Sequence, residues 1–65
     1  MSDDVPNGIS GDRVEAARLH AAAREAEAGE DYWGAKKLYE QSLRLHEDAV
    51  VRAEFLSLLS AIGPQ

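Results

Sequence analysis

The chain has 65 residues, enough for one small domain, and carries 12 Asp and Glu side chains against 7 Lys and Arg. Its formal net charge of −5 disfavours nucleic acid and anionic membrane as partners, because both attract basic surfaces. There is no cysteine, which excludes disulfides and thiolate metal sites, and no apolar run approaches the roughly 20 residues of a membrane-spanning helix.

The N-terminal segment, residues 1–11, is rich in Gly, Pro, Asn, Asp and Ser, a composition that favours turns or disorder. We expect a flexible tail there or, alternatively, a short partner-binding segment that uses Val5 and Ile9. The segment lacks the basic and apolar regions of a signal peptide, so a cytoplasmic location is expected. Residues 12–63 are predicted to form one three-helix domain.

The first helix is predicted to run from about residue 13 to residue 28, where the strong helix formers Ala, Glu, Arg and Leu predominate. Asp12 can cap its N-terminus, and Glu15, three residues later, resembles a capping box. Gly29 is expected to supply the left-handed position that ends the helix.

Two further helices are predicted over about 32–45 and 49–62, because Asp31 and Asp48 can cap them and Gly63-Pro64 is a strong stop signal. Both connections are short, so neighbouring helices should be antiparallel. No sustained alternation of apolar and polar residues predicts a strand. The predicted fold is therefore all-α, an antiparallel three-helix bundle.

Helical periodicity gathers the large apolar residues on one face of each helix. Helix one contributes Leu19, Ala22, Ala23 and Ala26. Helix two is expected to fill the space beside these alanines with Leu38, Tyr39 and Leu45. Helix three has the widest stripe, formed by Val51, Phe55, Leu58, Leu59 and Ile62 and extended by Leu56. Either the core absorbs this whole stripe, or part of it stays exposed and binds a partner or a second copy of the chain.

The segment from residue 19 to residue 42 resembles a tetratricopeptide repeat, which pairs two antiparallel helices with small residues where they cross. The matching positions are Leu19, Ala22 and Ala23 in the first helix, Gly29-Glu30-Asp31-Tyr32 as a Gly-Asp-Tyr turn with one extra residue, and Ala35, Tyr39 and Ser42 in the second helix. The pattern departs from the family at Ala26, where an aromatic is expected, and at Glu47, where proline is usual. The opening of another first helix is suggested by Ala53, Leu56 and Ser57. The resemblance implies a helical hairpin plus a capping helix, about one and a half repeats.

A second family is similar to the same region. The pattern of Tyr32, Ala35, Leu38, Tyr39 and Ser42 is similar to the second helix of microtubule-interacting and trafficking domains, which are three-helix bundles with typically longer helices. Both families bind proteins and do not catalyse reactions. In both, a short peptide commonly lies in a groove between helices, so either resemblance implies a protein-interaction module.

Arg13, His20 and Arg24 lie within about 40° of one another on helix one and form a basic stripe on an acidic chain. We expect this stripe to bind an acidic peptide or a C-terminal carboxylate of a partner, with Arg24 as the best fork-like donor. The alternative is a solvated face whose cations pair with Glu27 and its neighbours.

Three further residues complete the predicted partner-binding set. Trp33 follows Tyr32 at a helix start, where it can either anchor a partner or staple the interhelical turn. Phe55 and Leu59 belong to the apolar stripe of helix three and are expected to contact a partner where that stripe is exposed.

Neither His20 nor His46 has a second imidazole three or four residues away, so no metal and no cofactor is predicted. No serine has an evident base, and no glycine-rich phosphate loop follows a strand, so no enzymatic activity is expected. The sequence predicts a small adaptor that binds a peptide or helix of another protein. The alternatives are a docking or dimerisation subunit of a multienzyme assembly, associating as a homodimer through helix three, and a small acidic regulator that occupies a basic cleft of an enzyme.

Overall fold

The computed structural model describes residues 4–63, with side chains described from residue 11 onward. It contains three helices, α1 (Asp4–Ala28), α2 (Tyr32–Leu45) and α3 (Ala49–Ile62), and no strand among those residues. α2 packs against both α1 and α3, so the predicted all-α three-helix bundle is confirmed. Within the described part of the chain, no helix combines the length and the apolar character needed to cross a membrane.

The start of α1 differs from the predicted boundary. The helix begins at Asp4, upstream of the cap predicted at Asp12, so the backbone from position 4 to position 11 is helical where a tail was expected. Residues 1–3 of that segment, and the side chains of Val5 and Ile9, lie outside the described residues.

Pro6 is compatible with this early start. The first four N–H groups of a helix have no intrahelical acceptor, and proline has no N–H to leave unpaired. Once a helix is nucleated, each added residue contributes a further hydrogen bond. These added hydrogen bonds offset the cost of about 1 kcal/mol for each glycine in the segment. The sequence prediction of a tail relied on the glycine content and left this gain out.

The reversal after α1 turns at Glu30, whose φ is 67°, and not at the predicted Gly29. The N–H of Asp31 donates to the carbonyl of Ala26 over 2.8 Å, and the N–H of Glu30 donates to the carbonyl of Glu27 over 2.9 Å. These two bonds form the Schellman pattern, in which the left-handed residue is the second after the last helical one. Glycine is usual at this position because it has no side chain to crowd the backbone. The sequence analysis therefore assigned the turn to Gly29, one residue before Glu30.

Asp31 and Asp48 cap α2 and α3, as predicted. The Asp31 carboxylate accepts a hydrogen bond of 3.1 Å from the N–H of Gly34. Asp48 accepts bonds of 2.8 and 3.3 Å from the N–H groups of Val50 and Val51. Gly34 leaves room for the first cap, because a Cβ at that position would collide with the Asp31 carboxylate. Both helices therefore begin where their caps predicted.

The core is centred on α2. It comprises Ala16, Ala23, Ala35, Tyr39, Ser42, Leu43, Val51, Phe55 and Leu58. The three alanines let α1 and α2 approach closely. The buried Ser42 hydroxyl donates to the carbonyl of Ala16 over 2.7 Å, so the crossing of these helices includes a satisfied buried hydrogen bond.

The leucine that α2 contributes to the core is Leu43 and not the predicted Leu45. Leu43 is buried, whereas Leu45 is exposed. Because α2 packs on two neighbours, its buried face extends toward α3, and Leu43, one turn beyond Tyr39, lies on that extension.

α3 buries only part of its apolar stripe. Val51, Phe55 and Leu58 are buried, Leu59 and Ile62 are half-buried at the edge of the core, and Leu56 is exposed. The core therefore does not absorb the whole stripe, and binding of a partner or a second copy along its open edge stays a prediction.

Leu58→Ala is expected to destabilise the fold by about 2–5 kcal/mol, because Leu58 is fully buried and its truncation leaves a cavity. Leu56→Ala is the matched control on the same helix, and its cost should stay below about 1 kcal/mol. Urea denaturation followed by circular dichroism measures both free energies of unfolding. Equal losses in the two variants would contradict the burial of Leu58.

Candidate functional site

An open groove runs between the first half of α2 and the second half of α3. Its volume is about 560 Å³, and it is lined chiefly by Trp33, Lys36, Leu56, Leu59, Ser60 and Ile62. Four of these six side chains are large and apolar. We name this surface the α2–α3 groove.

Two of the four apolar side chains of the groove are largely open to solvent. Trp33 is 55% exposed and Leu56 is 54% exposed. Single exposed apolar residues are common on protein surfaces, whereas a concave cluster of them is a feature of binding sites. Trp33 lies in a wall of the groove, and its role as an anchor for a partner stays a prediction.

A second hollow, of about 340 Å³, continues the groove toward the α2–α3 connection. It is lined by Glu40, Leu43, Arg44, Arg52 and Phe55. Arg52, Leu56 and Leu59 recur at i, i+4 and i+7, so one side of α3 borders both the hollow and the groove. Glu47 accepts two hydrogen bonds from Arg52, of 3.0 and 2.7 Å, and these bonds lower the pKa of Glu47 below its ordinary value.

A polar cluster away from the groove joins all three helices. Nε2 of His20 in α1 lies 2.7 Å from the carboxylate of Glu54 in α3. The Tyr39 hydroxyl in α2 donates to Glu27 of α1 over 3.0 Å and also lies 3.4 Å from Glu54. The rings of His20 and Tyr39 are 5.9 Å apart, so the cluster combines hydrogen bonds with ring packing.

The protonation states of the cluster follow from these contacts. Burial raises the pKa of Tyr39 far above its usual range, and the hydrogen bond to Glu27 raises it further, so the phenol stays neutral. The hydrogen bond from His20 lowers the pKa of Glu54, and the positive charge of Arg24 acts in the same direction. Among the described side chains, no buried nitrogen or oxygen lacks a partner, so these groups chiefly satisfy one another.

The predicted basic stripe of α1 does not form a continuous free surface. Arg13 is exposed and lies about 16 Å along the helix from Arg24. His20 is engaged with Glu54. Arg24 borders a hollow of about 360 Å³ that also contains Glu27 and Glu54, and these carboxylates compete with an acidic ligand. Binding of an acidic peptide to this stripe stays a prediction.

Two members of the predicted set, Trp33 and Leu59, come together in the groove. Phe55, the third apolar member, lies in the core with its ring centroid 6.1 Å from that of Tyr39. Phe55 borders the second hollow and offers little exposed surface to a partner.

Lys36, Leu56 and Ile62 also line the groove, and the sequence-based site prediction missed them. The spacing of Leu56 and Leu59 along α3 was visible in the sequence as an extension of the apolar stripe. Which edge of that stripe stays uncovered depends on how α3 is rotated against α2, and no local pattern contains that information.

Among the described residues, no three His, Asp or Glu side chains converge in an arrangement that could hold a metal ion. No protein-family model, curated protein or solved structure matches the chain. The two family resemblances therefore stay predictions, and function has to be inferred from the groove itself.

His20→Ala is expected to raise the pKa of Glu54 toward its ordinary value of 4.5, because the hydrogen bond from His20 is the main cause of the lowering. A carboxylate with a depressed pKa in the folded state stabilises the fold above its unfolded pKa, and this contribution is lost as the pH falls through the folded pKa. The stability difference between the variant and the unsubstituted chain should therefore shrink below about pH 4.5.

An NMR titration of the side-chain carboxyl carbons measures the pKa of Glu54 in both proteins. His46→Ala is the matched control, because His46 makes no bond to Glu54, and it should leave that pKa unchanged. A Glu54 pKa that does not move in His20→Ala would contradict the pairing of these two residues.

Proposed function

We propose that the chain is a non-catalytic protein-interaction module that binds an amphipathic helix of a partner protein in the α2–α3 groove. The observation that supports this most directly is the concave cluster of Trp33, Leu56, Leu59 and Ile62. Exposed, contiguous apolar surface marks interaction sites. A large aromatic anchor such as Trp33 often supplies much of the binding energy at a protein interface.

The dimensions of the groove favour a helix as its ligand. α2 and α3 each contain 14 residues, which gives each a length of about 21 Å, or about four helical turns. A helix that lies in a groove presents apolar residues at i, i+3 or i+4, and i+7. Leu56 and Leu59 on one wall and Trp33 on the other offer complementary surfaces for such a stripe.

The arrangement of the three helices is a second line of support. In repeat proteins built from helical hairpins, each hairpin buries its apolar faces against the next one. Here α1 and α2 form a hairpin and α3 packs on α2, while no helix of the described chain covers the outer edge of α3. A partner helix in the groove would take the place of a neighbouring repeat helix.

The same exposed edge supports a second candidate, a docking or dimerisation subunit whose two copies associate through α3. Phe55 is buried within one copy, so Leu56 and Leu59 would form the contact between copies. Sedimentation equilibrium separates the two candidates. A monomer at every concentration eliminates self-association, whereas a concentration-dependent dimer favours it over capture of a partner helix.

Leu56→Gln is expected to weaken binding of the partner about tenfold or more, because truncating a central interface anchor typically costs about 1–2 kcal/mol or more. Val50→Gln is the matched control. It removes an apolar side chain of α3 that is 62% exposed and lies outside the groove, and it should change the affinity by less than about twofold. A photo-crosslinking amino acid at position 60, which lines the groove, identifies the partner in native cells. Affinities for that partner are then measured by isothermal titration calorimetry.

Circular dichroism spectra that match the unsubstituted chain establish that both variants are folded. Unchanged affinity of folded Leu56→Gln for the crosslinked partner would contradict the groove as the binding site. Arg24→Ala in the same titration measures whether the basic stripe of α1 contributes, and an unchanged affinity eliminates that contribution.

A further inference from the structure

The net charge of this acidic chain is unevenly distributed among its three helices. The whole chain has 12 acidic and 7 basic side chains. α2, in contrast, carries three cations, Lys36, Lys37 and Arg44, and a single carboxylate, Glu40. α2 is therefore the one net-positive helix of the three, and α3 has one residue of each sign.

These cations border the α2–α3 groove. Lys36 lines the groove itself, and Arg44 lines the hollow that continues it. Lys37 is four residues beyond Trp33, so it lies on the same face of α2 as the indole. The side of α2 that borders the groove therefore carries three cations against the single carboxylate of Glu40, which leaves it a net positive charge along most of the helix.

These charges are available to a ligand. Lys36 pairs with Glu40 over 2.9 Å, but both side chains are partly exposed, and exposed pairs contribute little to stability and exchange partners readily. Lys37 and Arg44 are exposed and form no ion pair with any other described residue. Binding a carboxylate there breaks no strong internal interaction.

Resting on the proposed function, we infer that the helix bound in the groove is acidic along the edge that faces α2, with carboxylates one turn apart beside its apolar stripe. Complementary charge at an interface selects the partner and speeds association. A second copy of this chain is a poor occupant, because two grooves docked face to face would bring two cationic α2 helices together.

Two synthetic peptides of about 18 residues, long enough for five helical turns, test this inference. Both carry the same leucine stripe and no tryptophan, and they differ only in having glutamate or lysine beside the stripe. Trp33 is the only tryptophan of the chain and lines the groove, so a blue shift of its emission reports binding. At low salt, the glutamate peptide is expected to bind about tenfold more tightly, and the difference should shrink as salt screens the charges.

The net charge of the chain opposes the expected preference for the glutamate peptide. At −5, long-range attraction favours the lysine peptide, so a preference for glutamate has to come from the cations beside the groove. Lys36→Glu combined with Arg44→Glu is expected to reverse the preference. Arg18→Glu combined with Val14→Glu and Ala21→Glu, at exposed positions of α1 outside the basic stripe, makes the same change in net charge and should leave the preference intact.

Each outcome has a distinct meaning. Equal or tighter binding of the lysine peptide to the unsubstituted chain overturns the inference about charge and leaves the groove as a binding site. Binding of neither peptide contradicts the proposed function itself. A dimer that must dissociate before either peptide binds identifies a second copy as the occupant and overturns the inference.

Circular dichroism shows whether the double variant of α2 is folded. If it is not, Lys37→Glu replaces it, because position 37 is exposed and tolerates the change. This single variant is expected to reduce the preference for the glutamate peptide several-fold, and an undiminished preference in a folded Lys37→Glu chain overturns the role assigned to the cations.

Discussion

The buried side chain of Tyr39 contacts both of the helices that pack against α2. Its ring, in the middle of α2, packs against Phe55 of α3 and lies near His20 of α1, while its hydroxyl reaches carboxylates on both outer helices. A buried hydroxyl without a partner would be costly, so Glu27 and Glu54 must face it. These contacts fix the rotation of α1 and α3 about their own axes. In a small chain without disulfides, they add specific long-range links to a modest apolar core.

That rotation also decides which side of α3 is left open. Glu54 is held inward by His20 and Tyr39. Residues two apart on a helix are separated by about 160°, so Leu56 is turned to almost the opposite side of α3. Leu56, which widens the apolar stripe, is thus exposed because the hydrogen bonds of Glu54 hold the opposite side of α3 inward. The polar cluster and the α2–α3 groove are consequences of one orientation of α3.

The groove and the charge of its border have a common origin in the central position of α2. α1 and α3 cover two sides of this helix, and its remaining side carries Trp33 and most of its cations. The net positive charge of α2 beside the apolar strip is opposite in sign to the net charge of −5 of the whole chain. The proposed ligand, an amphipathic helix with an acidic edge, matches both features with one surface. Apolar contact would then supply most of the affinity, and the charges would supply orientation and selectivity.

Local patterns in the sequence suffice to predict the fold class, the extent of α2 and α3, and the apolar stripe of α3. Those features depend on caps such as Asp31 and Asp48, whose hydrogen bonds reach at most three residues along the chain, and on periodicity within one helix. Contacts between helices decide which edge of the stripe is open, that Phe55 is covered, and that His20 links α1 to α3. The His20–Glu54 contact joins residues 34 positions apart. The rotation of one helix against another is set by contacts of this range, and no short segment of the sequence contains both partners.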